Sequence, residues 1–236
     1  AGLYFDQLDR ISTRLIDGNT VRVGPASLRH PFPAPTGLVD YSLTKPEAAT
    51  VYSLNLEEGA SSARGIGGSV EFKQPLDGDR LGIAGGFGWR NAHRYEGGKT
   101  LYRTVGTTIA WRPAPKTEVL LFAGDFIYRS DEARPSFYPA GTALPPQVQR
   151  GQDLSQPWSG RKQDLWTLGA VAKAPLGGLR VEAGLFYSLR DQPAVYSDIM
   201  SGVAANGAVA SRKVIADGNN RDGSLSGELR LIRHWQ

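Results

Sequence analysis

The chain has 236 residues, with 27 Lys and Arg against 23 Asp and Glu, 29 glycines, 15 prolines and no cysteine. This composition excludes disulfides and thiolate metal sites, and a net charge of only +4, spread along the chain, leaves no basic footprint for nucleic acid. No run of about 18 apolar residues occurs, so no transmembrane helix is expected, although a β-barrel crosses a bilayer with strands of about ten residues that leave overall hydropathy unremarkable.

Residues 1–75 read as short elements broken by Pro and Gly. Leu15 to Val21 (LIDGNTV) predicts a hairpin about the Asp17-Gly18 pair, and Val21 to Val23 continues its second arm. Pro25 to Gly37 holds four prolines and has little capacity for regular structure. Short strands are expected at Leu38–Leu43, Thr50–Leu56 and Gly68–Lys73, with a Gly/Ser loop at Ser61–Gly68.

From Asp77 the rhythm changes to long strands. Arg80–Asn91 places Leu81, Ile83, Phe87 and Trp89 on an apolar face, and Leu101–Arg112 does the same with Val105, Thr107, Ile109 and Trp111. Thr117–Arg129 predicts Leu120, Phe122, Phe126 and Tyr128 on that face, with Ala123, Asp125 and Arg129 opposite. Gln163–Lys173 contributes Trp166, Leu168, Ala170 and Ala172. The clearest alternation is Leu179–Arg190, whose odd positions from Leu179 to Leu189 carry no charge. Ser224–Trp235 repeats it with Leu225, Leu229, Leu231 and Trp235.

The connections alternate in length. Pro113–Lys116 and Ala174–Gly178 are tight turns, whereas Asn91–Thr100, Ser130–Lys162 and Asp191–Gly223 read as longer loops. Short turns on one rim and long loops on the other are a property of transmembrane barrels. With the short turns at the periplasmic rim, Trp89, Tyr128, Trp166 and Tyr187 are expected near the outer strand ends, and Trp111 and Trp235 near the inner ends, as two aromatic girdles.

Motifs of chemistry are weak. Gly97-Gly98-Lys99-Thr100 resembles the end of a phosphate loop, but His93 stands where a glycine is needed. Asp217 to Gly223 resembles a calcium loop, but Arg221 replaces an oxygen donor. His30, His93 and His234 lack ligand spacing, and no nucleophile elbow or catalytic constellation is present, so neither enzymatic activity nor a cofactor is expected.

The order of parts resembles the TonB-dependent outer-membrane receptors, through Leu15–Gly24 (LIDGNTVRVG), Pro31–Tyr41 (PFPAPTGLVDY) and Gly65–Lys73 (GIGGSVEFK). The resemblance implies an all-β chain: residues 1–75 as the C-terminal part of a plug domain, then residues 76–236 as about six antiparallel strands of a large transmembrane barrel. It implies a fragment of a longer receptor in the outer membrane of a Gram-negative bacterium. The function implied is energy-coupled uptake of a scarce ligand such as a ferric siderophore. The partners implied are outer-membrane lipid and a TonB complex engaged through a part outside this chain. Because the family captures ligand at the plug apex and outer loops, the implied ligand contacts are Arg29, His30 and Phe32, with Arg134, Phe137 and Tyr138 in the long loop. The competing expectation is a soluble all-β carbohydrate-binding or adhesive module, with its apolar faces packed on each other.

Overall fold

A computed structural model describes residues 12–23, 38–59, 65–131, 133 and 135–233. These residues are all-β apart from one 3-10 turn, Thr13–Leu15. The strands are β1 (Ile16–Arg22), β2 (Leu38–Leu43), β3 (Val51–Gly59), β4 (Gly65–Asp77), β5 (Leu81–His93), β6 (Lys99–Trp111), β7 (Glu118–Ser130), β8 (Pro135–Pro139), β9 (Arg161–Leu176), β10 (Leu179–Val203), β11 (Val209–Asp217) and β12 (Asn220–Ile232).

Strands β1 and β2 form a separate antiparallel pair. The other ten form one mixed sheet, whose body is an antiparallel meander in the order β3, β4, β5, β6, β7, β9, β10, β12. Strand β10 is 25 residues long and serves two levels. Its first half, Arg180 to Gln192, lies between β9 and β12. Its second half pairs with β11 on one side and, in parallel, with β8 on the other. Among the described residues, β3 and β12 each have a partner on one side only.

Turn chemistry sets the register. Gly177 (φ 53°) and Gly178 (φ 85°) form the two-residue turn between the paired Leu176 and Leu179. Positive φ at both positions is the type I′ hairpin, which only glycine and a few polar residues adopt readily. This turn, the one after β4 and the one after β6 lie at one end of the meander, and the longer loops lie at the other.

The two faces of the meander differ. One is covered by the Ser12–Leu15 segment. On that face β5, β6 and β7 present Gly86, Gly88, Gly106 and Gly124. A Cβ on Gly124 would stand 2.6 Å from Leu15 Cδ1, and one on Gly106 would stand 2.8 Å from the Arg14 carbonyl carbon. The strip therefore has to lack side chains for the segment to lie on it. Leu15 is fully buried there, and Leu120, Phe122, Phe126 and Leu165 are buried on the same face. The opposite face is bare and apolar. Leu54 is 65% exposed, Leu185 55% and Leu225 70%, and Val70, Val105, Ile109, Leu121, Leu168 and Leu229 continue the band between them.

Several sequence expectations change. The Asp17-Gly18 pair lies inside β1 at a register irregularity, not in a turn, and the partner of β1 is the distant β2. The sheet begins at Val51, so a division at residue 75 falls within β4, which pairs along its length with β3 and β5. The bare and covered faces of β7 are exchanged relative to expectation: Leu120, Phe122, Phe126 and Tyr128 are in register with Ala110, Thr108, Thr104 and Tyr102 on the covered face. Strand β7 carries large apolar residues on both faces, so its own alternation does not decide the matter and its neighbours do, which puts Asp125 and Arg129 on the bare side, toward the long-loop end. Tyr128 accordingly leaves the expected aromatic girdle and packs 5.1 Å from the Tyr102 ring. The segments 130–162 and 191–223, expected as loops, contain β8, the second half of β10, and β11. Trp235 lies outside the described residues.

Candidate functional site

Among the described residues, two regions bring together the side chains that a site would use. The first is the covered face. Arg14 pairs with Glu71 of β4, and Lys73 of β4 pairs with Glu47 and lies 3.9 Å from Asp17. At the short-turn end, Glu118 accepts Lys45 at 2.6 Å, Arg112 at 2.9 Å and Lys173 at 3.2 Å. One carboxylate thus ties the segment after β2 to three strand ends. The Thr108 hydroxyl donates to the Thr44 carbonyl at 2.7 Å, and the Thr44 amide donates to the Leu15 carbonyl at 2.8 Å. Cavities of 210 and 340 Å³ flank this seat, and Thr13 and Arg14 line both.

Other charges of this face pair locally. Arg180 meets Glu182 at 3.0 Å on the same strand, and Arg230 meets Glu228. Phe122 and Phe186 meet at 5.8 Å over Gly169, whose missing Cβ makes the space.

The second place is the long-loop end. A pocket of 270 Å³ is lined by Tyr95 and Glu96 from the β5–β6 turn, Pro135 and Phe137 from β8, and Gln147, Val148, Gln152 and Leu154 from the loop that follows. Its walls are pinned by backbone bonds. The Gly151 amide donates to the Tyr95 carbonyl at 3.0 Å, and the Ala140 amide to the Val203 carbonyl at 3.0 Å. Arg212 of β11 donates to the Leu154 carbonyl at 2.6 Å while its Nε donates to Asp198 Oδ1 at 3.0 Å. That hydrogen bond to the buried Asp198 raises the Arg212 guanidinium pKa above its ordinary value. Trp158 packs edge-on against Tyr196 at 5.7 Å beneath the same loop. A long loop held at this many points is a preformed wall rather than a tether.

No family model matches the chain. Neither does a curated protein or a solved structure. The assignment of a role therefore rests on the residues themselves. Of those expected to contact ligand, Phe137 lines the pocket. Tyr138, the next residue of an alternating strand, is 57% exposed and not part of the lining. Arg29, His30, Phe32 and Arg134 lie outside the described residues. Tyr95 and Glu96 were missed in sequence. The signal for them in the sequence is an aromatic–acid pair beside Gly97-Gly98, in the loop before the one that carries Phe137.

Proposed function

We propose that the chain is part of a TonB-dependent outer-membrane receptor, with the bare face of the meander toward lipid and the covered face toward the lumen. The observation that supports this most is the pairing of an apolar exposed face with a glycine-lined face that carries paired charges beside its buried Leu and Phe side chains and on which an N-terminal segment is seated. A soluble module would cover the first face and would have no use for the second. On the bare face Trp111 ends β6 at the short-turn side, Tyr187 lies mid-band at the level of Ala123, and charges begin with Asp125 at the level of Trp166 and continue with Asp164 and Lys162 toward the long-loop end. An apolar band bounded by amphipathic rings suits a bilayer. The division between plug and barrel then falls before Val51, and eight meander strands belong to the wall. Ligand enters from the long-loop end, a ferric siderophore being the leading class, and the energy arrives through a TonB complex. No bond chemistry is required of this chain.

The experiment is fluorescence quenching by brominated lipids, in the intact protein reconstituted in vesicles with its own tryptophans replaced by phenylalanine. A tryptophan placed by Leu185→Trp is quenched, and one placed by Ser226→Trp on the opposite face is not. Equal quenching at both sites, or a protein that stays monomeric in buffer without detergent, overturns the membrane reading and favours the soluble carbohydrate-binding or adhesive module. Ligand uptake that persists without a TonB complex overturns the energy coupling.

A further inference from the structure

The pocket at the long-loop end specifies a chemistry of its own. Two aromatic rings, Tyr95 and Phe137, face it together with Pro135, Val148 and Leu154, and Gln147 and Gln152 add amides. Among the described residues its lining carries one charged side chain, Glu96. That carboxylate is already neutralised: Arg94 Nε lies 3.3 Å from Glu96 Oε1, and the two side chains are only 19% and 13% exposed. The Gln152 carbonyl oxygen is also engaged, accepting from the Gln149 amide at 3.2 Å, which leaves its NH2 as the end able to donate. A net-neutral apolar slot with amide donors repels no neutral ring, and it offers an anion no counter-charge for the hydration it would lose.

From this juxtaposition we infer that the pocket is a subsite for an uncharged planar aromatic group, held between Tyr95 and Phe137, and that it does not receive an anionic chelate centre. The inference deepens the receptor reading, because it rests on the long-loop end being the ligand side. It names the part of the ligand recognised there. The rigidity of the walls matters as much as their composition. The Gly151–Tyr95 and Arg212–Leu154 bonds fix the two loops before any ligand arrives, so little ordering entropy remains to oppose binding.

The test uses two probes of one shape, 2-naphthalenemethanol and 2-naphthoate, titrated against the full chain with saturation-transfer NMR as the readout. The neutral probe binds about tenfold tighter than the anion or better. Phe137→Leu keeps an apolar strand residue but removes the ring, and Val148→Trp fills the slot. Each weakens the neutral probe by about tenfold or more, the scale of a lost aromatic contact. Leu144→Ala, at an exposed loop position outside the lining, leaves the affinity unchanged. Naphthoate binding as tightly as the alcohol overturns the inference, as does absence of binding by both probes. Unchanged affinity in both Phe137→Leu and Val148→Trp also overturns it. None of these outcomes depends on bilayer quenching at Leu185→Trp, so the subsite and the membrane reading can fail separately.

Discussion

Strand β10 is 25 residues long, and its two halves are finished in different ways. In the first half Leu185 and Tyr187 stand bare, and Ala183 and Val181 continue their row. In the second half the protein covers its own apolar groups: Met200 is 5% exposed and Val203 3%, under β8 and the loop around it. The second half also buries a charge, Asp198, and supplies a guanidinium for it from β11. One half is completed by its own chain, and the other leaves an apolar face for something else to cover. In the receptor proposed above, the same backbone would mark where the solvent changes from water to an apolar medium.

The largest effect that would break this contrast is a charge on the bare half. Leu185→Arg costs about 2–4 kcal/mol of unfolding free energy in the reconstituted intact protein, measured by urea titration in vesicles. A cost near zero there would place Leu185 in water. Next, Arg212→Ala leaves Asp198 buried without its partner. Removing one member of a buried pair costs about 3–5 kcal/mol, and partial exposure of Arg212 reduces this to about 2–3 kcal/mol. Hydrogen exchange over 195–217 should then accelerate while the amides of 180–192 stay protected. Acceleration in both halves would show that β10 opens as one unit.

A third change tests the covered face. Gly106→Val drives a side chain into Arg14 and Leu15, and overpacking of this kind costs about 1–3 kcal/mol. The expected readout is faster tryptic cleavage after Arg14, without loss of β-signal in circular dichroism. Unchanged cleavage would show that the segment does not rest on the glycine strip. The smallest effect belongs to Arg190→Gln. Its partner Asp222 lies 2.7 Å away but is 46% exposed, so the loss is about 1 kcal/mol or less. Set beside Arg212→Ala, it separates burial from pairing on one strand.

How far the sequence reveals this arrangement depends on how many neighbours a strand needs. Leu179–Leu189 is legible because charges sit on only one of its faces. Strands β5 and β6 are legible because Gly and Thr alternate with Phe, Trp and Ile. Strand β7 is not, since Leu120, Phe122 and Phe126 oppose Val119, Leu121 and Ile127, and only pairing with Thr104, Thr108 and Ala110 assigns the faces. The second half of β10 is hidden by Pro193, which sits at the register shift between Asp191 and Ala194 where a ladder tolerates it. Strand β8 is hidden because its partner is about sixty positions away in sequence and parallel to it. Phe137 was visible as an aromatic in a long loop. Its company with Tyr95 was not, because the hydrogen bond that joins the two loops is between backbone atoms.

The glycine strip beneath Ser12–Leu15 has a mechanical consequence. A wall without side chains has no rotamers to rearrange when its occupant departs, and nothing with which to fill the space afterwards. If the segment is released, as the proposed receptor requires, the release is a lift of one body from another. The groove keeps the width that backbone spacing gives it, water takes the vacated volume, and the same contour meets the segment on its return. In the proposed receptor, a passage opened in this way would close without the wall having to refold.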